Sequence, residues 1–414
     1  MLHAMKKPTA LAGVVAALAF GGSAMAQDLV ARWNDGLNFF SEDKSVDIKI
    51  GGRIHNDWEW GSGDDDLEAA TGNTFQDQVI FRRARLAIAG KFMKHFGFKA
   101  QYDFAADGTA DFKDVYFDIN KVPLVDQVRV GQFLIPYGFE IQNSSNNNTF
   151  IERAGPVNAF TVERQTGMML TKSFLEKKRL TFQVAVSRNT NAFGEDSGDG
   201  EYSVTGRVFG MPYSFGEGGA DGIVHVGASV QSFHNGRGGV AFAARPSVRM
   251  GPSLLSTGAL NGGGGNNVDD VMKWEVDAAF TYKSLCVQGE YHSVQVNSEA
   301  LDDPSLTAFY VYASYFLTGE QRPYKGGVFG YTKPLTNVYG GEGEGGIGGW
   351  EVAVRYSQGD FEDGGVAGGE ANDITIGLNW YWNGNFRILW NYVMADLDDV
   401  GKAQYFTMRF SLFF

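Results

Sequence analysis

In this 414-residue chain, arginine is the residue type whose spacing indicates a chemical role, namely the binding of anions. Arg82, Arg83 and Arg85 fall within four consecutive positions, and like charges this close repel one another unless an anion lies beside them. A guanidinium keeps its charge at physiological pH and binds carboxylate or phosphate oxygens in a bidentate manner. The cluster therefore predicts either a site for anions or a set of ion pairs with the chain's own carboxylates, because 48 acidic residues accompany 35 basic ones.

Motifs for catalysis and for metal binding are weak in this sequence. It contains neither G-x-S-x-G nor H-E-x-x-H, and the glycine-rich stretch from Gly340 to Gly349 lacks the Gly-Lys-Ser/Thr of a phosphate-binding loop. The six histidines show no metal-ligand spacing with Cys286, which is predicted to be a core or interior residue. We therefore predict no catalytic residue, no metal and no cofactor. A hydrolase with a His/Ser pair is the enzymatic alternative, and a net charge of −13 argues against nucleic-acid binding.

The amino terminus has the composition of an export signal. Lys6 and Lys7 precede an apolar run over 11–20, and Ala24 and Ala26 supply the small-residue cleavage pattern. Residues 1–26 are thus predicted to be a cleaved signal peptide, followed by a single domain over 27–414. No later run reaches the roughly 18 consecutive apolar residues of a membrane helix.

The final stretch, 404–414, alternates with a period of two. Phe406, Phe410 and Phe414 fall on one parity, whereas Thr407 and Arg409 fall on the other. Successive side chains of a strand point to opposite faces, so this strand presents a large apolar face and a mixed face. Such a face suits contact with lipid in a closed barrel. The predicted fold class is all-β, a transmembrane antiparallel β-barrel that this last strand closes.

The same alternation recurs and predicts about sixteen strands, the first beginning near Val46. We expect a periplasmic lead-in over 27–45, a loop over 134–167 that narrows the bore, and a long loop over 234–271. Long loops are expected to begin near Gly61, Ala105, Leu134, Asn189, His234, Asn297, Gly359 and Leu397. The connection 318–349 is long but falls on the side of the short turns, which indicates a hidden strand.

Basic residues recur on the parity that faces the interior. Those on the strands are Arg53, Arg83, Arg85, Lys99, Arg207, Arg355, Arg387 and Arg409, and the long loops add Arg153, Arg164, Arg245 and Arg249. Rings of Arg and Lys favour anions in pores. The alternative is that these arginines pair with acidic residues across the strands.

Several motifs, in order along nearly the whole chain, resemble one family. They are Gly51–Ile54, Phe81–Leu86, Val130–Phe133, Tyr137–Glu140, Glu152–Arg153, Arg245–Pro246, Leu317–Glu320, Trp350–Glu351 and Leu378–Tyr381. This pattern resembles the phosphate-selective porin O and P family of Gram-negative outer membranes. The resemblance implies a trimeric, sixteen-stranded barrel with loops folded into the pore and an arginine ladder that guides anions to a constriction.

The resemblance also assigns residues to the anion pathway. By position, the ladder corresponds to Arg53, Arg82, Arg83, Arg153, Arg245 and Arg249, and the inward parity adds Arg85. Asn146, Asn147, Phe150 and Arg164 fall in the constriction loop. The resemblance implies lysines after Glu140, but this chain has Ile141-Gln142-Asn143-Ser144-Ser145-Asn146 there.

The resemblance leads to an expected function. We expect a water-filled channel in outer-membrane lipid, a homotrimer that passes small solutes by passive diffusion and prefers small anions such as phosphate. A general porin without anion preference is the main alternative. A non-conducting structural or adhesive barrel is another.

Overall fold

The computed structural model describes residues 29–106, 109–175, 179–198, 201–234, 240–260, 268–298, 301–341 and 343–414. The signal peptide predicted over 1–26 lies outside these residues. Across the described ranges, no helix has the length and apolar character needed to cross a membrane.

Sixteen strands form a closed antiparallel ring. They are β1 (Asp47–Gly63), β2 (Gln78–Phe92), β3 (Phe96–Ala106), β4 (Thr109–Asn120), β5 (Gln127–Leu134), β6 (Arg164–Phe174), β7 (Leu180–Arg188), β8 (Tyr202–Phe215), β9 (Gly222–His234), β10 (Val268–Tyr282), β11 (Leu285–Ser298), β12 (Ser305–Phe316), β13 (Gly349–Asp363), β14 (Val366–Tyr381), β15 (Phe386–Leu397) and β16 (Gly401–Phe413). Each strand pairs with its sequence neighbours, and β16 closes the ring on β1 from Ala403↔Gly63 to Phe413↔Arg53. The predicted barrel of about sixteen strands is confirmed.

The two faces of β16 differ as its alternation predicts. Phe406 and Leu412 are each 42% exposed on the outside, whereas Thr407, Arg409 and Ser411 are buried inside. Apolar side chains facing outward and polar side chains facing inward are the arrangement of a membrane barrel, because the bilayer core cannot solvate charge.

Three of the expected long loops are connections of only two or three residues, so those predictions were wrong. β3 extends to Ala106 with β4 starting at Thr109, and β15 and β16 are separated only by 398–400. Between β13 and β14 lie only Gly364 and Gly365, with φ of 53° and 86°. Two successive positive φ angles define the mirror-image hairpin turn, which matches strand twist and favours glycine.

Among the described residues, three segments contain short strands outside the ring. Between β9 and β10, the strands Ala243–Ala244 and Leu255–Ser256 pair with each other. In the expected lead-in, strands Leu29–Trp33 and Leu37–Ser41 form a hairpin whose second strand pairs with β1. Sequence reasoning missed this hairpin. In the connection 317–348, the strands Tyr324–Lys325 and Val328–Phe329 pair only with each other among the described residues. The strand expected there is therefore not part of the barrel wall.

The barrel interior is largely filled by two connections. The short helix α1 (Asp65–Thr71) lies in the connection between β1 and β2. The inner loop, which we define as residues 135–163 between β5 and β6, contains the short helix α2 (Gly155–Phe160). Residues 240–260, between β9 and β10, cover it, with Phe242 packed edge-on against Phe160. Cys286 is buried in the same apolar cluster. The lumen is thus packed on one side and open on the other.

Candidate functional site

A β-bulge brings two adjacent arginines to the interior. His55 of β1 pairs with Arg83 of β2, but the next residue, Asn56, pairs with Phe81. Arg82 is therefore the extra residue of a bulge, which breaks the alternation of β2. Because of this bulge, both Arg82 and Arg83 line the same interior cavity.

A second bulge has the same effect in β4. Ala100 pairs with Val115, whereas Tyr102 pairs with Phe112, so β4 has one extra residue between them. Lys113 and its neighbour Asp114 both line the cavity as a result. Strict alternation assigns Lys113 to the outer face, and no sequence signal identified it as an interior residue.

The cavity between the inner loop and strands β1–β6, which we call the basic cavity, has a volume of about 320 Å³. Its charged lining comprises nine basic residues, Arg53, Arg82, Arg83, Arg85, Lys99, Lys113, Arg153, Arg164 and Arg249, and four acidic ones, Asp103, Asp111, Asp114 and Glu163. Positive charge therefore exceeds negative charge on its wall.

Some of these cations have carboxylate partners. Arg85 Nε lies 2.7 Å from Asp103 Oδ2, and Arg164 Nε lies 2.6 Å from Asp114 Oδ1. Lys99 donates to the other oxygen of Asp114. Arg85, Arg164 and Lys99 therefore pair with acidic residues across the strands, which was the alternative to a role in anion binding.

Arg53 and Arg83 have weaker partners. Arg53 Nη1 donates to Ser144 Oγ at 3.1 Å and Ser145 Oγ at 2.8 Å, both neutral hydroxyls of the inner loop. Arg83 Nη1 lies 3.9 Å from Glu152 Oε1, and its Nε and Nη1 have no hydrogen-bond partner among the described residues. These two guanidiniums are the least neutralised strand arginines of the basic cavity.

Glu152 of the inner loop lies between several arginines. Its carboxylate pairs with Arg82 Nε at 2.9 Å and Arg409 Nη2 at 2.7 Å. Burial alone would raise the pKa of Glu152, but the guanidiniums of Arg82, Arg409 and Arg83 outweigh it and hold this pKa well below its usual value. Glu152 is therefore ionised and fixes this part of the inner loop.

The connection 240–260 adds Arg249 to the mouth of the basic cavity. The backbone N–H groups of Arg249 and Met250 donate to the Glu59 carboxylate of β1 at 3.2 and 2.9 Å. Burial and repulsion from Arg82 and Arg245 lower the pKa of Arg249. Arg245 Nη1 donates to the Arg249 carbonyl at 2.7 Å. Arg245 is exposed beside the basic cavity and is not one of its lining residues.

On the opposite side, the barrel wall holds the inner loop by its backbone. Arg387 Nη1 donates to the Asn148 carbonyl at 2.8 Å, and Arg355 Nη1 donates to the Glu152 carbonyl at 3.1 Å. Arg409 donates to the carbonyl of Ile151. These bonds close this side of the interior, which we call the sealed side and define as β10–β16.

The four residues expected at the constriction contact different parts of the barrel and do not form one site. Asn146 Oδ1 lies 3.2 Å from His55 Nε2, whereas Asn147 Nδ2 donates to the Phe329 carbonyl at 2.8 Å. Phe150 is buried beneath the Arg355 guanidinium, which lies 4.4 Å from its ring centroid. Of the four expected residues, Arg164 alone lines the basic cavity in the described part of the chain. The cavity face of the inner loop is instead formed by the neutral residues Ile141, Gln142, Asn143, Ser144 and Ser145 together with the charged residues Arg153 and Glu163.

The connection 317–348 reaches the inner loop inside the barrel. Phe329 N donates to Asn143 Oδ1 at 2.7 Å, and Arg322 Nη1 donates to the Asn147 carbonyl at 2.9 Å. Arg322 also pairs with Glu351 of β13. This connection therefore supports the inner loop from one end of the barrel, a role that sequence reasoning did not predict.

Comparison with known proteins agrees with this architecture. Residues 48–412 match the family model of the phosphate-selective porin O and P. Porin O of Pseudomonas aeruginosa is 27% identical over 428 residues, which cover 95% of this chain and 93% of that protein.

Solved structures share the fold at low sequence identity. The anion-selective porin from Comamonas acidovorans and the trimer form of OmpT from Vibrio cholerae each have a TM-score of 0.53 and 10% identity. Each match covers 89% of this chain and 100% of the other. The family match, which spans the whole barrel, shows that this chain belongs to the phosphate-selective porin O and P family and is a porin of the Gram-negative outer membrane.

Proposed function

We propose that this porin prefers small anions and that they pass along the basic cavity. The observation that carries the proposal is the lining of nine basic and four acidic residues on one side of an otherwise filled barrel. A cleft lined by one sign of charge concentrates counter-ions, and its low-dielectric walls strengthen the field. Rings of Arg and Lys act in this way in anion pores.

The composition of the inner loop indicates a preference for anions in general, without strong selectivity for phosphate. Its cavity face offers the amides of Gln142 and Asn143 and the hydroxyls of Ser144 and Ser145 in place of ammonium groups. Neutral donors bind chloride, carboxylate and phosphate, but they add no charge that would distinguish a multiply charged ion. Phosphate is therefore one of the preferred solutes, with modest discrimination against other small anions.

The assembly that we propose is a homotrimer in outer-membrane lipid. OmpT, whose barrel has the same fold, has a trimer form. Many apolar side chains on the outer face, such as Val276 at 48% and Val354 at 50%, are about half-exposed in the single chain. Lipid or a neighbouring subunit would cover them.

Zero-current potentials across planar bilayers in a KCl gradient test the selectivity. The wild type is expected to favour chloride over potassium. Replacing Arg83→Ala together with Arg85→Ala should weaken this preference severalfold, because two cavity charges are lost and Asp103 loses its partner. The control is Arg188→Ala, since Arg188 pairs with Asp196 outside the basic cavity.

Two outcomes would overturn the proposal. A wild-type preference for potassium would show that the basic lining does not set selectivity. Absence of conductance after verified insertion of folded trimers would favour the non-conducting structural barrel.

A further inference from the structure

A buried lysine lies on the inward face of β10, close to the connection 240–260. The register places Lys273 opposite Gln231 of β9, and it places Phe233 of β9 opposite Ser203 of β8. These four side chains line one interior cavity, and Lys273 is 7% exposed. Strand pairing thus brings an ammonium group and an aromatic ring together inside the barrel.

The ammonium group of Lys273 has few partners. Its Nζ donates to the Phe160 carbonyl of the inner loop at 3.5 Å, which is the outer limit of a hydrogen bond. An ammonium has three N–H donors, so two of them have no acceptor among the described residues, and no carboxylate of those residues pairs with Lys273. A buried cation in this state lacks a counter-charge, which an anionic ligand would supply.

Aromatic rings flank the same ammonium group. The ring centroids of Phe233 and Phe242 lie 5.6 and 5.2 Å from Lys273 Nζ. Contacts of this kind stabilise a cation over a ring face, but a neutral ring adds no counter-charge. The surroundings of Lys273 therefore combine one positive charge with an apolar surface.

Lys273 lines two cavities. The first has a volume of about 240 Å³ and shares Glu163 and Arg164 with the basic cavity. The second, which we call the outer cavity, has a volume of about 380 Å³, and its wall includes Phe233 and Phe242. This volume lies in the range of small-molecule sites, about 300–1,000 Å³.

Two glutamates near Lys273 limit the charge that a ligand can carry. Burial raises the pKa of Glu163, but the guanidiniums of Arg153 and Arg164 outweigh it and hold this pKa below its usual value. Glu201, in the connection between β7 and β8, lines the outer cavity. A carboxylate repels a doubly charged anion more strongly than a singly charged one, so the site favours monovalent anions.

We propose that the outer cavity binds a small monocarboxylate with an aromatic body, of which benzoate is the simplest example. Its carboxylate accepts N–H groups of Lys273 in charge-assisted hydrogen bonds. Its ring packs against Phe233 and Val240, which line the same cavity. The site is separate from the proposed anion pathway, and binding at equilibrium does not require that the porin conducts.

Equilibrium dialysis of the refolded full chain against radiolabelled benzoate, in excess chloride, tests the proposal. The wild type is expected to bind benzoate about tenfold more tightly than acetate, because acetate lacks the ring that buries apolar surface. Lys273→Met keeps the length of the side chain but removes its charge, and it should weaken benzoate binding about tenfold.

The matched control is Lys172→Met. Lys172 is a wall lysine outside both cavities, with its Nζ 3.4 Å from Asp126 Oδ1 and 5.9 Å from the Phe174 ring centroid. Its removal should leave benzoate affinity unchanged. Equal benzoate binding by the wild type and Lys273→Met, absence of binding by the wild type, or acetate binding as tight as that of benzoate would each overturn the proposal.

Crystals of the wild type soaked in 4-bromobenzoate keep the test decisive if Lys273→Met does not fold. An anomalous bromine peak beside Phe233 and Val240 would support the site. A peak in the basic cavity alone, or no peak, would contradict it. A porin that fails to conduct but gives the expected peak would refute the proposed channel function and leave this site standing.

Discussion

The two sides of the barrel interior use arginine in opposite ways. On the sealed side, Arg355, Arg387 and Arg409 are at most 1% exposed and donate to carbonyl groups of the inner loop. On the open side, Arg53 meets only two serine hydroxyls in the described structure, and Arg83 has two nitrogens without a partner there. All five residues have the same inward parity. Their roles differ because the inner loop presents backbone carbonyl groups to the sealed side and the serine hydroxyls to Arg53, whereas Glu152 contacts arginines of both sides.

Arginines of the sealed side therefore contribute mainly to the stability of the barrel, and arginines of the open side contribute mainly to its ion selectivity. A guanidinium that satisfies buried carbonyls and carboxylates holds the structure together, and its charge is already balanced. A guanidinium that faces water beside neutral hydroxyls retains an uncompensated charge that acts on solutes. Substitutions on the sealed side should therefore change stability first, and those on the open side should change selectivity first.

The largest effect is expected on the sealed side, from Arg409→Ala. Arg409 Nε lies 2.6 Å from Asp57 Oδ1 and its Nη2 lies 2.7 Å from Glu152 Oε1, so its removal leaves buried carboxylates unpaired. Breaking one partner of a buried ion pair costs about 3–5 kcal/mol. Urea unfolding of the refolded barrel measures this loss. Arg53→Ala serves as the open-side counterpart and should cost about 1 kcal/mol, the value of an ordinary hydrogen bond. Equal losses of unfolding free energy in Arg409→Ala and Arg53→Ala would contradict the distinction between the sealed and the open side.

A smaller effect is expected for Glu152→Gln, because Glu152 contacts both sides. Its pKa in the folded protein lies well below the usual 4.5, so its ionised form stabilises the fold fully above about pH 4.5 and this contribution is lost as the pH falls through the folded pKa. Removing the charge should cost about 1.5–3 kcal/mol at pH 7. Below pH 4.5 the difference between variant and wild type should shrink.

Unfolding measured from pH 7 to pH 3 checks this prediction, with Asn146→Ser as a loop control that adds no titratable group and leaves Glu152 unchanged. A constant difference between wild type and Glu152→Gln across that range would show that folding does not lower the pKa of Glu152.

The smallest effect concerns discrimination among anions. Ser144 lines the basic cavity beside Arg53, and Ser144→Lys places an additional ammonium there. One charge at about 4 Å in a solvated site contributes about 1 kcal/mol, which corresponds to roughly fivefold tighter phosphate binding. The concentration of phosphate that half-inhibits the chloride current measures this change in phosphate binding. Ser144→Met adds similar length without charge and should leave inhibition unchanged, and equal inhibition in both variants would contradict the charge argument.

The barrel itself could be predicted from alternation alone. A period of two holds along most of the barrel wall, because lipid on the outer face favours apolar side chains and the interior favours polar ones. The bulges in β2 and β4 interrupt it. This is why the exposure of Phe406 and the burial of Arg409 in β16 agree with the sequence pattern.

The residues of the basic cavity were only partly predictable. Arg82 and Lys113 reach the interior through bulges, which alternation cannot show because a bulge is a property of two paired strands. The partners that neutralise Arg409 come from β1 and from the inner loop, far away in sequence. Composition and parity identify which arginines face inward. Tertiary contacts determine which of them remain available to solutes.

Zero-current potentials of Arg53→Gln and Arg387→Gln, recorded in the same KCl gradient, test the central claim most directly. Each variant removes one inward-facing arginine, from the open and the sealed side respectively. We predict that Arg53→Gln lowers the ratio of chloride to potassium permeability, whereas Arg387→Gln leaves that ratio near the wild-type value while destabilising the inner loop. A loss of selectivity in Arg387→Gln with none in Arg53→Gln would contradict the assignment of the two sides.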